Sequence, residues 1–556
     1  MVYTRPSLTL ATAAVLLLLP SLLMGTLISH SSPQNLTWAA QFADQFRAGI
    51  LYPRAAPDSY EGLGGVTFYF YPPLAFWVDG LLSVGTFNVL SVSYRLSFAW
   101  LILLLASGLT MHVWLKDQTA SPRAAFYGAL AYMAAPYHLL DHYYRGAFAE
   151  FAAYAVLPLV ALSIRRIAEG RRFGALWLAV AYAALPMTHL PTSLLISLTA
   201  IPLYVLYRGW RLGAARPAAG FFVRCALGGA LGLGIAAIYL VPALTLQDWI
   251  PAENFWTSDY RVENWFLVTP GRWPEHDTTE LIAWFAATYG IAALGVVALL
   301  ARRPASERWR SEPAFWAFVC LLCLAFIAGL VPWFWQLPFA AKVQFPWRLM
   351  IVVEFAAITA LCLAPWQGRA RATSYIFIAA LAALAPGLGT MAAGIGLRVG
   401  VSQVRADPPQ DLNQFMPARY PQKTGARYAD LSLEPLQDVP TIVCTPLART
   451  CQATNESFGR LRIDIDAETP TTVVLRRFAY PYWRLVPDLP LTATDPLQLV
   501  SFTAPAGYGS FSLTWANVRE EKLGWLVSGF SVALLALWAL VLRRGRRTPN
   551  RDRAAR

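Results

Sequence analysis

The chain has 556 residues, of which 56% are hydrophobic and only 14% charged, and its mean hydropathy is +0.44. That balance excludes an ordinary soluble enzyme and points to a protein that crosses a bilayer many times. The formal net charge of +13 does not mark a nucleic-acid binder. The excess sits in short loops and the tail, where membrane orientation and anionic headgroups account for it.

A span needs roughly 20 mainly apolar residues. In chain order such runs fall near 7–28, 95–115, 124–140, 147–164, 173–188, 191–207, 221–243, 280–300, 313–331, 348–364, 373–395 and 523–542. This reads as a polytopic α-helical membrane protein with about twelve transmembrane helices. Several runs carry proline (Pro136, Pro158, Pro202, Pro242), which packed neighbouring helices tolerate. The first run reads as a retained anchor. Its leading segment holds only Arg5, and no small-x-small cleavage site precedes His30.

Basic residues recur at every second gap: KDQTASPR (116–123), RRIAEGRR (165–172), 208–224, ARRPASERWR (301–310), QGRAR (367–371) and the tail from 543. Cytoplasmic loops keep Lys and Arg, so these gaps and both termini are expected in the cytoplasm of a bacterial inner membrane. The other gaps face outward: a long first loop over 29–94, then 141–150, 188–192, 247–265 and 332–348, rich in acids, histidines and aromatics. Residues 72–90 could form a further span, but counting it would invert the charge pattern. They are expected as an interfacial or re-entrant helix, and they carry Asp79.

The multi-span part covers 1–395. A polar segment over 396–522 opens with a Pro- and charge-rich arm, then alternates in short β-branched runs such as RLRIDID (460–466) and TTVVLRRF (471–478). These predict a small β-rich periplasmic domain, sandwich or jelly roll, before the last helix and basic tail at 523–556. Cys444 and Cys451 fall in this outward domain, and a disulfide is expected there. Cys225, Cys320, Cys323 and Cys362 lie in or near spans and read as packing residues.

No P-loop, dinucleotide fingerprint, HExxH or GxSxG motif appears in a plausible context. Chemistry concentrates instead at the outward ends of spans, where ionisable groups often mark a substrate path. Asp141 and Glu150 flank Arg145 in LLDHYYRGAFAEF. They read either as an ion pair that orients a loop or as carboxylates that hold a metal or take a proton beside a phosphate-binding Arg. Asp58 and Glu61 in APDSYEGLGG are a second pair, or a solvated turn. His189 is a candidate proton donor or a structural histidine. Lys342 and Arg348 form an anion site or an interfacial anchor.

The ordered set LYPR (51–54), FYFYPPL (68–74), APYHLLDHYYRGAFAE (135–150), THLPTSL (188–194), QFPWRL (344–349) and FAYPYWRL (478–485) resembles the bacterial "6-pyruvoyl-tetrahydropterin synthase-related" membrane-domain family. The label implies no pterin chemistry. The architecture is similar to the GT-C class of membrane glycosyltransferases. That resemblance implies a sugar taken from a polyprenyl-phosphate donor, a cell-envelope acceptor, an acidic base in the first outer loop and, in some families, a divalent metal (Mg or Mn). Asp141 and Glu150 would hold the metal. His30, Arg145, Lys342 and Arg348 would bind substrate, and Asp141, Glu150, Asp58, Glu61 and His189 would serve catalysis. Where related sequences carry His-Asp after the first span, this chain reads His30-Ser31. Asp44, Asp58, Glu61 or Asp79 would then have to act as base, or the chain is a degenerate relative that binds or moves a lipid-linked glycan. Oligomeric state is not legible.

Sidedness is directly testable. Alkaline phosphatase fused within 247–265 or after Asp438 should be active, and fused within 165–172 or 301–310 inactive; the reverse pattern contradicts the reading.

Overall fold

The computed structural model describes residues 6–119, 121–213, 218–255, 260–268, 276–304, 311–364, 415–420, 436 and 438–544. Among them, seven helices are long and apolar enough to cross a membrane: Val92–Gln118, Phe148–Ala168, Leu190–Leu212, Ala218–Ile235, Thr279–Ala301, Pro346–Leu363 and Arg519–Arg544. The chain is a multi-pass membrane protein. The expected segment at 373–395 lies outside the described residues.

The described residues leave about twelve spans unconfirmed, because four of the predicted runs fold as helices too short to count among the seven. Where the sequence predicts spans at 7–28, 124–140, 173–188 and 313–331, the helices are shorter: Pro6–Leu17 followed by Leu19–Met24, Pro122–Met133, Gly174–Thr188 and Glu312–Ile327. Proline breaks two of them: Pro20 opens Leu19–Met24, and Pro136 starts a new short helix, Pro136–Leu140. Apolar composition counts residues along the chain; it does not register where a helix stops.

The most enclosed helices are Pro346–Leu363 and Phe148–Ala168, 89% and 78% buried over their most apolar windows, against 11% for Arg519–Arg544. The first two therefore form the centre of the bundle and the last lies at its edge. The 72–90 region folds as a helix of 12 residues, Leu74–Gly85, too short to span by itself. Its Asp79 is fully buried and holds Arg95 through two bonds, Nε to Oδ1 at 2.8 Å and Nη2 to Oδ2 at 3.1 Å. Arg95 also donates to the Ala39 carbonyl at 3.2 Å. One guanidinium thus ties Ser32–Arg47, Leu74–Gly85 and Val92–Gln118 together.

The two ends of the bundle differ chemically. At one end Arg165 meets Asp117 (3.1 Å), Glu169 (3.0 Å) and Glu312 (3.5 Å), and Arg208 meets Glu312 (2.5 Å). Asp117, Arg165, Glu169 and Arg208 come from alternate gaps that the sequence marks as basic, and Glu312 opens the helix after another. At the other end stand the first loop and an antiparallel β-sandwich.

The sandwich has two four-stranded sheets, ordered β1-β4-β7-β6 and β2-β3-β8-β5. Its strands are β1 Ile442–Thr445, β2 Thr450–Asn455, β3 Leu461–Ala467, β4 Thr471–Phe478, β5 Trp483–Val486, β6 Thr492–Ala493, β7 Leu499–Ala504 and β8 Gly507–Trp515. Alternation drives it: Leu461, Ile463, Ile465 and Ala467 point inward from β3, with Val473 and Leu475 facing them from β4. A Cys444–Cys451 disulfide joins β1 to β2, one from each sheet. The other four cysteines are buried and free.

The sandwich is docked, not tethered. The Phe478 N–H donates to the Leu63 carbonyl at 2.8 Å, and Arg476 donates to the Glu61 carbonyl at 2.8 Å. From the last helix, Glu521 accepts the Tyr69 hydroxyl at 2.6 Å and lies 3.4 Å from Arg54.

Removing one partner of a buried ion pair costs about 3–5 kcal/mol, while replacing both by apolar groups of similar volume is often neutral. Arg95→Ala should therefore lower the unfolding temperature of detergent-purified protein sharply, and Asp79→Leu combined with Arg95→Met should recover most of the loss. An Arg95→Ala protein as stable as wild type contradicts the assignment.

Candidate active site

The charged centre is built on a break between helices. After Pro136–Leu140 the chain makes one wide π-helical turn, Asp141–Arg145, then Gly146 in a left-handed conformation (φ 63°), before Phe148–Ala168 begins. Glycine is required there. A Cβ at Gly146 would lie 2.3 Å from Ser29 Oγ and 3.1 Å from the Ser32 nitrogen. The turn therefore seats directly against the start of the first loop.

Arg145 Nη1 lies 2.5 Å from Asp141 Oδ1, 3.0 Å from Glu150 Oε2 and 2.7 Å from the Tyr137 hydroxyl. Tyr137 in turn donates to Glu150 Oε1 at 2.7 Å. Arg348, delivered by the turn Pro346–Leu349, approaches Glu150 Oε2 with Nε at 3.5 Å and donates to the Val343 carbonyl at 2.5 Å. Both carboxylates are buried, and Arg145 keeps 14% of its side chain accessible. A cation so placed needs its partners, because an unpaired buried charge is far more costly than a paired one.

Burial and the neighbouring Glu150 carboxylate push Asp141 well above the ordinary carboxylate range, against the opposing pull of Arg145. Two guanidinium groups, those of Arg145 and Arg348, face the Glu150 carboxylate, and a guanidinium so fixed suits the oxygens of an anion.

Glu354, buried in Met350–Leu363, supports this cluster from below. It accepts the Tyr137 backbone N–H at 2.8 Å and the Tyr154 hydroxyl at 2.7 Å. His189 is buried beside the cluster, close enough to Glu150 and Arg348 to feel their charge, and its Nδ1 lies 2.8 Å from Thr192 Oγ1. Lys342 is exposed on the short turn before Arg348.

Asp141, Glu150, Arg145 and Arg348 thus converge, with His189 next to them. Asp58 and Glu61 do not join them. Glu61 sits 3.4 Å from Arg476 of β4, and Asp58 is exposed, close enough to Arg477 to feel its charge. Both lie by the seam on which the sandwich is docked. His30 is exposed, its Nδ1 3.1 Å from Ser31 Oγ.

Among the described residues no three His, Cys, Asp or Glu side chains gather as a metal site. The pair expected to hold one, Asp141 and Glu150, already shares the Arg145 guanidinium, and a dication would leave an uncompensated buried charge beside it.

Tyr137 and Glu354 were missed by sequence reasoning. Glu354 carried a signal, an acid inside the apolar run MIVVEFAAIT. Tyr137 carried none that separates it from its neighbouring aromatics.

No known family model matches the chain, and no curated protein matches it. Among solved structures, arabinofuranosyltransferase AftD from Mycobacteria is similar at a TM-score of 0.42 and 20% identity, over 69% of this chain and 26% of that one. ArnT from Cupriavidus metallidurans, in a structure bound to undecaprenyl phosphate, is similar at a TM-score of 0.32 and 16% identity, over 64% of this chain and 77% of that one. The chain spans about a quarter of the AftD length. Likenesses this loose assign no activity, and none of these matches shows the pterin-synthase-related membrane family.

Glu150→Gln keeps the shape and deletes the charge that both arginines face. It should destabilise by about 3–5 kcal/mol, read as an early unfolding transition in detergent. Exposed Glu61→Gln should stay within about 0.5 kcal/mol. Equal transitions for the two variants contradict the network described.

Proposed function

We propose that this chain is a membrane glycosyltransferase of GT-C type that takes a sugar from a polyprenyl-phosphate donor and passes it, with inversion, to a cell-envelope acceptor on the outward face of a bacterial inner membrane. The observation that carries the reading is the Arg145–Arg348 pair converging on Glu150 at the sandwich end of the bundle. A guanidinium held in a fixed orientation is suited to a phosphate oxygen. Placed at the leaving group, it stabilises the charge that develops as the sugar departs. The order of motifs from LYPR to FAYPYWRL supports the same class by resemblance.

In this reading Glu150, Asp141 and Tyr137 aim the arginines and do not themselves take the acceptor's proton. Glu150 is too enclosed and too firmly paired to receive it. Arg145 is the residue that reaches the donor, since it combines three buried partners with a partly accessible side chain. The sandwich, seated on the first loop through Glu61 and Leu63, would restrict access for the acceptor.

A second reading has a specific observation in its favour. Three of the first-loop carboxylates lie against a basic side chain: Asp44 with Arg47, Glu61 with Arg476 and Asp79 with Arg95. A protein that binds or moves a lipid-linked glycan without turnover would show the same anion site and lack an acidic base.

Binding is the first test. Purified wild-type protein should bind a long-chain polyprenyl phosphate. Losing a hydrogen bond to a charged group costs roughly 1.5–3 kcal/mol, so Arg145→Ala should weaken binding about 10- to 150-fold, with Arg208→Ala at the opposite end unchanged. Equal binding by wild type and Arg145→Ala contradicts the site. Release of polyprenyl phosphate from a panel of polyprenyl-phosphate-linked sugars, in the presence of an envelope extract, separates the transferase from the binder.

A further inference from the structure

We infer that His30, paired with Ser31, is the base that takes the proton from the acceptor hydroxyl; this rests on the transferase reading above and adds to it the residue that reading lacks. The first loop contains four carboxylates and one imidazole. Asp79 is buried against Arg95, Asp44 lies 2.5 Å from Arg47, Glu61 is drawn to Arg476, and Asp58 sits on the sandwich seam near Arg477. None of the four lies on the segment that touches the arginine turn.

His30 does. Its backbone N–H donates to the Tyr144 carbonyl at 3.0 Å, and the Ser31 N–H donates to the Arg145 carbonyl at 3.1 Å. Asn35 Nδ2 reaches the Gly146 carbonyl at 2.7 Å, and Gly146 leaves no space for a Cβ against Ser29 and Ser32. The segment is therefore clamped to the turn that carries Arg145. The imidazole itself is exposed. Ser31 Oγ lies 3.1 Å from His30 Nδ1. With the ring hydrogen on Nδ1 and donated to Ser31, Nε2 presents its lone pair, the form a general base requires.

The step balances with no further reagent. The acceptor O–H gives its proton to His30 Nε2, and the acceptor oxygen forms a bond to the anomeric carbon. The bond from that carbon to the phosphate oxygen breaks, and its electron pair leaves with polyprenyl phosphate, whose charge Arg145 and Arg348 hold. The exposed imidazolium returns its proton to water. Ser31 orients the ring and takes no part in the bond changes.

The test compares full-length wild type, His30→Gln, His30→Ala and His30→Ala combined with Ser31→Asp. Each is assayed for turnover of polyprenyl-phosphate-linked sugars and for binding of polyprenyl phosphate. General-base removal typically costs roughly 100- to 10,000-fold. His30→Gln should lose turnover by that factor and bind polyprenyl phosphate within about twofold of wild type. The carboxylate supplied by Ser31→Asp should raise the His30→Ala rate at least about tenfold. His30→Gln turning over like wild type overturns the base while leaving the transferase reading intact. Parallel loss of binding and turnover overturns it too, since the residue is then structural. A wild-type protein that binds polyprenyl phosphate and turns over no donor ends both in favour of the binder.

Discussion

The arrangement depends on one constraint: Arg145 sits at the edge of a closed bundle and must be compensated there. Asp141, Glu150 and Tyr137 supply that compensation at 2.5–3.0 Å. Each comes from a different local element: the short Pro136–Leu140 helix, the wide turn, and the first turn of Phe148–Ala168. Glu354, more than 200 residues further on, holds the backbone of Tyr137 and so fixes where the hydroxyl points. The break before Phe148–Ala168 is what lets Glu150 join them: an unbroken helix would keep Tyr137, Asp141 and Arg145 on one face and turn Glu150, five residues beyond Arg145, away from it.

The same logic explains why the β-sandwich is seated and not swinging on a linker. Its β4 strand ends in Arg476-Arg477-Phe478, and these residues meet Glu61, the surroundings of Asp58, and Leu63. The first loop is thereby held on two sides: by the sandwich at 58–63, and by the arginine turn at 29–35. A loop gripped at both ends can present small polar groups in a set place, as a site on a rigid frame requires.

Much of this was legible in the sequence where the signal is local. Alternating basic gaps located Asp117, Arg165 and Arg208 at one end, and alternation in RLRIDID and TTVVLRRF located strands. Asp79 was legible as an obstacle to a spanning helix, yet its partner Arg95 was not, since no pattern in the chain pairs them. Long-range pairing hid the rest. Glu61 meets Arg476 across 415 residues, and Tyr137 meets Glu354 across 217. The number of spans is not settled by sequence for another reason: proline-broken apolar runs look alike whether they cross a bilayer or pack as short helices.

The central claim is that a lipid-borne phosphate docks on Arg145 from the sandwich end. A photoreactive polyprenyl phosphate, cross-linked to the intact protein and mapped by mass spectrometry, tests it most directly. The account predicts labels on Tyr71, Tyr137 and the 344–348 turn, suppressed by excess unlabelled polyprenyl phosphate. Labels gathered around Arg165 and Glu312 at the opposite end, with none near Arg145, would contradict it.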